Sequence, residues 1–139
     1  MCLLDGVLEC DAQRIRCVTR THLHPDNPLR SAQGLLALCG IEYAAQAMAI
    51  HGSLSGQIDE RPRAGYLASV REVAFHNARL DTLDAELIIE AEKLMGDEAR
   101  VIYQFRLHAA GREVLSGRAT VILDAPIPDT GILDAGTAA

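Results

Sequence analysis

The chain has 139 residues, 13 of them basic and 19 acidic, for a net charge of −6, with 49% apolar and 23% charged side chains. That length and balance describe one globular domain with a core of its own, and argue against a disordered chain or a nucleic-acid binder. No apolar run approaches the roughly 18 residues that a membrane span needs, and the start, MCLLDGVLEC, carries Asp5 and no basic lead, so it does not read as a secretion signal.

Residues 3–10 and 14–21 read as two extended segments joined by a tight connection at Asp11-Ala12-Gln13. In the second, Ile15, Cys17 and Thr19 alternate with Arg14, Arg16, Val18 and Arg20, the period of a half-buried strand. The texture then changes. His22-Leu23-His24-Pro25-Asp26-Asn27-Pro28 holds two prolines and short polar side chains, which is irregular chain. Residues 35–50, LLALCGIEYAAQAMAI, are too rich in alanine and leucine and too long for a strand, so they predict a helix, with Gly52 as its C-cap. The helix is apolar almost all round, broken only by Glu42, Tyr43 and Gln46, and such a helix is surrounded by protein.

Residues 53–64 are polar loop. Four strand-like segments follow, over 65–77, 84–94, 100–108 and 113–123, with hairpin turns at Met95–Glu98 and Ala109–Arg112. Residues 125–139 hold little apolar mass and read as a flexible C-terminal tail behind a single domain spanning 1–124. No strand–helix–strand repeat occurs, which excludes a doubly wound parallel sheet. The order predicts an α+β fold: a curved antiparallel sheet wrapped around one long central helix.

Cys2, Cys10, Cys17 and Cys39 form no CxxC pair and lie in apolar stretches, so they read as buried free thiols of a cytoplasmic protein. Cys17, His22 and His24 lack the spacing of a zinc site, and no metal or cofactor is expected. No GxGxxG, P-loop, GxSxG or HExxH is present, which leaves nucleotide, serine-hydrolase and zincin chemistry without support.

The residue that stands out is Glu42. A carboxylate among Leu38, Ile41, Ala45 and Met48 costs several kcal/mol to bury unpaired. Either it sits at the helix rim in water or beside an arginine, or an apolar wall raises its pKa and makes it a general acid or base. Gln46, four residues on, shares its side of the helix. His22 and His24 lie on the loop feeding the helix, and a neutral imidazole there can take a proton near pH 7. His51 reads as a helix-end partner, and His76 and His108 as strand-surface residues, with His76 able to line a cleft. Backbone N–H groups near Gly34 and Gly40 could polarise a carbonyl oxygen.

The helix sequence Gly40-Ile41-Glu42-Tyr43-Ala44-Ala45-Gln46-Ala47-Met48-Ala49 resembles the G-[IVL]-E-x-[MA]-A-Q pattern of hotdog-fold 3-hydroxyacyl-[acyl-carrier-protein] dehydratase-like proteins from bacterial aryl polyene or related lipid clusters, relatives of the fatty-acid dehydratases. Asn27-Pro28-Leu29 and Gly65-Tyr66-Leu67 are also similar, and the likeness runs from about residue 3 to 123. The Pro-Gly pair that precedes the helix in the main dehydratases is absent.

The resemblance implies a hotdog fold and a homodimer or dimer of dimers, with the active site at the subunit interface. There a histidine takes the C2 proton of a 3-hydroxyacyl thioester on acyl carrier protein or coenzyme A, and a helical acid helps the 3-hydroxyl leave as water. Carried over by position, the acid is Glu42. The base is His22, with His24 as the alternative. Gly34, Leu35, Gly40, Gln46 and Asn27 are the expected substrate-binding residues. A thioesterase of the same fold and a non-catalytic carrier-binding subunit stand as alternatives.

Overall fold

The alternation read along the chain becomes a single antiparallel sheet in a computed structural model, which describes residues 2–54 and 65–123. The elements are β1 (Gly6–Cys10), β2 (Arg14–Thr19), α1 (Gly40–Leu54), β3 (Gly65–Phe75), β4 (Leu87–Gly96), β5 (Arg100–Ala109) and β6 (Arg112–Leu123). The six strands lie in the order β1-β2-β4-β5-β6-β3, so β1 and β3 are the sheet edges among the described residues. The sheet curves around α1, which packs on β2, β4 and β5. This is the expected hotdog architecture. The expected tail over 125–139 and most of the expected 53–64 loop lie outside the described residues.

One sheet face holds the core. Ile15 and Cys17 of β2, Leu87 and Ile89 of β4, and Phe105 and Leu107 of β5 are all fully buried. Each large apolar side chain so buried contributes about 1.5–3 kcal/mol. Arg16 and Glu90 of the opposite face, both half-buried, pair at 2.9 Å, and a surface pair of that kind adds at most about 1 kcal/mol. The apolar face therefore fixes the register, since a one-residue slip would turn all of these side chains to water. In β6 the alternation breaks. A register shift between Leu107 and His108 of β5 lets both Val114 and Leu115 of the facing strand point inward.

The helix begins later than expected. Leu35 and Leu36 are extended, Ala37–Cys39 form one 3₁₀ turn, and α1 starts at Gly40. The cause is a competing set of backbone partners. Gly34 turns the chain at φ +94°, Ala37 N–H donates to Ala78 O, and Leu80 N–H donates to Leu35 O. These groups are bonded to the segment before β4 and are not free for helix. At the other end α1 runs through Gly52, the expected C-cap, to Leu54. The helix also has two faces. Gly40, Tyr43, Ala44, Ala47, Met48 and His51 form a buried stripe at helical spacing, while Glu42 and Ala49 are exposed.

At Gly40 the helix backbone packs closely on the sheet's side chains. A Cβ there would lie 2.5 Å from Leu115 Cδ2 and 3.1 Å from Leu107 Cδ2.

Candidate active site

His22 sits in a single 3₁₀ turn, Thr21–Leu23, directly after β2. Its side chain is fully buried. Nε2 lies 3.0 Å from the carbonyl oxygen of Leu83. A carbonyl only accepts, so Nε2 carries the proton and Nδ1 holds the lone pair. Nδ1 is buried and has no hydrogen-bond partner. Burial pushes the His22 pKa down, opposed by the carbonyls of Leu83 and Ala85 and by Asp5, and reinforced by Arg20. The result is a neutral imidazole in one tautomer with a bare basic nitrogen, which is the chemical state a general base requires. His24 is exposed and leaves the turn in extended conformation.

Glu42 stands in the first turn of α1, where the helix dipole favours a carboxylate. It is exposed, and the apolar wall expected around it is not built within one chain: Leu38 is 62% exposed and Met48 belongs to the buried stripe. Among the described residues no hydrogen bond or ion pair joins Glu42 to a histidine.

Apart from Asn27, the link between the two segments runs through residues that the sequence did not mark as functional. The buried Tyr43 hydroxyl lies 2.9 Å from Thr21 Oγ1 and accepts a hydrogen bond from Asn27 Nδ2 at 3.0 Å. Thr21 Oγ1 donates to Leu3 O at 2.6 Å, as does Thr19 Oγ1. Thus the neighbour of His22 is tied to the neighbour of Glu42. Tyr43 occupies the open position of the helix pattern, so the resemblance carried no signal for it. The available signal was physical: a tyrosine on an otherwise apolar helix needs a partner for its hydroxyl when buried.

The expected substrate-binding residues are each engaged within the fold. Asn27 is 3% exposed. It braces its loop, donating to Thr21 O and to Tyr43 and accepting from Leu29 N–H. Gly34 N–H donates to Ser31 O, and Gly40 N–H donates to Ala37 and Leu38 carbonyls. Leu35 is fully buried and its N–H donates to Asp81 Oδ1 at 3.1 Å. Asp81 also binds Arg79 at 2.6 Å and Arg30 at 3.3 Å, and the Arg79 guanidinium beside it holds its carboxyl down at about 2. Gln46 Oε1 accepts from Leu3 N–H at 2.7 Å, fixing the N-terminal segment on the helix.

The other histidines lie elsewhere. His51 is buried at the far end of α1, where Nε2–H donates to Asp11 O and Nδ1 accepts from Tyr103, both at 2.8 Å. His76 pairs with Glu113 on the surface at 3.0 Å, and His108 lies 3.7 Å from Glu90. All four cysteines are free, but only Cys17 is buried, its thiol pushed up to about 11 by desolvation; Cys2 is exposed, contrary to expectation. Among the described residues no group of three or more His, Cys, Asp and Glu side chains could hold a metal, and no helix is long and apolar enough to cross a membrane.

Comparison with known proteins places this geometry. The model of the ApeP-like family, described as ApeP dehydratase, matches residues 1–129. No curated protein matches the chain. Among solved structures, a dehydratase heterocomplex, ApeI:P, from Xenorhabdus doucetiae superposes with a TM-score of 0.76 at 20% identity, covering 88% of this chain and 83% of the other. A mutant thioesterase from Pseudomonas aeruginosa gives 0.63 at 13% identity, covering 84% and 78%. A hypothetical thioesterase with coenzyme A from Streptococcus pneumoniae gives 0.63 at 13% identity, covering 86% and 84%. The first of these corrects the expected homodimer or dimer of dimers, because that dehydratase is a heterocomplex. The physical reason is that an open sheet edge and a half-apolar helix face look alike in sequence whether the neighbour is a copy or a different chain.

Proposed function

The chain belongs to the ApeP-like dehydratase family, and from that premise we propose that it removes water from a 3-hydroxyacyl thioester to leave a 2-enoyl thioester, with His22 as the base and Glu42 as the acid. The observation that carries the assignment is the bare, buried Nδ1 of His22, with Nε2–H fixed on the Leu83 carbonyl. Nδ1 takes the C2 proton. The C2 electrons form the double bond to C3 as the C3–O bond breaks, and the Glu42 carboxyl supplies the proton that makes the departing hydroxyl water. The protonated imidazole then returns a proton to the carboxylate through solvent, closing the cycle.

His22 is favoured over His24 because its ring is held in one orientation and one tautomer, whereas His24 is exposed. The exposure of Glu42 within one chain supports a site completed by a second subunit. The heteromeric state of the Xenorhabdus relative supports a different chain as that subunit. The thioester is carried on acyl carrier protein or coenzyme A; a pantetheine thiol is common to both.

The test is conversion of a 3-hydroxyacyl carrier-protein thioester to the 2-enoyl product, followed by mass spectrometry on the assembled enzyme. Glu42→Gln and His22→Gln are each expected to lower turnover by about 10²–10⁴-fold while the protein remains folded. Wild-type turnover in either variant overturns the role of that residue. Release of free thiol in place of enoyl product would point instead to the thioesterase chemistry that two of the structural relatives carry in their descriptions.

A further inference from the structure

We infer that the Tyr43 hydroxyl is a positioning group for this reaction: it holds the turn that carries His22 on the first turn of α1, which carries Glu42, through the chain Asn27–Tyr43–Thr21–Leu3. This inference deepens the reading above and rests on it.

At Tyr43 the hydrogen-bond directions admit one assignment. Asn27 Nδ2 can only donate, so the Tyr43 oxygen accepts from it. The Tyr43 proton then goes to Thr21 Oγ1, whose own proton goes to the carbonyl of Leu3. Thr19 donates to the second lone pair of that carbonyl, and its oxygen accepts from Thr21 N–H at 3.0 Å. Tyr43, Thr19, Thr21 and Asn27 are all buried, so no link is replaced by bulk water. Thr19 Oγ1 and Thr21 Oγ1 also lie 2.9 Å apart, so every hydroxyl of this buried chain has a partner. Its two middle members, Thr21 and Tyr43, are the residues adjacent to the base and to the acid.

The chain also seals the turn. Asp5, which acts on His22 from the N-terminal segment, accepts from Arg20 N–H at 2.7 Å and lies 3.3 Å from Thr19 Oγ1. The charged groups that act on the imidazole are Arg20 and Asp5, and the carbonyls are those of Leu83 and Ala85. If the Tyr43 link is cut, the turn loosens, water reaches the ring, and desolvation weakens.

The experiment is Tyr43→Phe in the full chain, assembled with its partner subunit and assayed on a 3-hydroxyacyl carrier-protein thioester across pH. Phenylalanine keeps the packing and deletes only the hydroxyl. The expected result is a fall in kcat of about 10- to 100-fold, with KM changed by less than about twofold. The acid limb of kcat/KM also moves to higher pH as the His22 pKa returns toward its ordinary value. Thr21→Val reproduces both changes, and Thr21→Ser, which keeps the hydroxyl, stays near wild type. A Tyr43→Phe protein with wild-type kcat and an unmoved acid limb overturns the inference, even if it melts earlier. Should Tyr43→Phe not fold, Thr21→Val decides by the same two readouts. Wild-type turnover in Glu42→Gln is a separate result, which removes the catalytic reading itself.

Discussion

The burial that leaves Nδ1 of His22 bare for its proposed role as base also burdens stability. Desolvation lowers its pKa in the folded protein, so the unfolded chain binds a proton more readily than the folded one. The sign follows: stability is full above the unfolded value of 6.5 and is lost as pH falls below it. Urea midpoints are expected to hold steady above neutrality and decline from about pH 6.5 downward, with a flatter profile in His22→Gln. An equal slope in the two proteins would show that His22 does not set it. At this scale the sequence was partly legible. The His-rich loop and Glu42 could be singled out because charged or basic side chains beside an apolar run demand a reason. The lead of His22 over His24 came from the resemblance alone; the burial of His22 and the bracing role of Asn27 could not be read, because they depend on which side chains the loop turns inward.

Elements were read well where period decided and poorly where partners decided. Strands β2, β4 and β5 follow their alternation because one face is dry. The start of α1 does not follow composition, since the carbonyls and amides of residues 35–37 bond to the segment at 78–80. Gly40 marks that boundary, and its lack of a side chain lets the helix touch Leu107 and Leu115, both fully buried. Gly40→Ala would gain at most about 1 kcal/mol of helix propensity and lose about 1–3 kcal/mol to overpacking. The net expectation is destabilisation of about 1 kcal/mol, measured as a lower denaturation midpoint with unchanged m-value. A midpoint equal to or above wild type would mean that Leu115 yields freely.

For the molecule as a whole, the curved antiparallel sheet was legible because a single apolar helix needs a sheet to cover it, whereas the strand order, which carries β3 to the far edge beside β6, and the identity of the neighbouring chain were not. Edge strand β3 exposes Leu67 and Phe75 as well as Tyr66, which suits burial against a second subunit. Leu67→Glu is expected to weaken the proposed heteromeric assembly by roughly tenfold in Kd, about 1.4 kcal/mol, with little change in the melting temperature of the chain alone. Sedimentation of the mixed subunits reads the first and a thermal scan the second; unaltered assembly would place the contact elsewhere.

That same strand is not straight. Its pairing with β6 shifts register between Leu67 and Ser69 and again between Arg71 and Ala74, and Glu72 adopts φ 53°. A flat, regular border would template one molecule after another into a growing fibril. Two kinks in eleven residues limit that hazard: few incoming strands have the matching bends, and indiscriminate stacking is disfavoured.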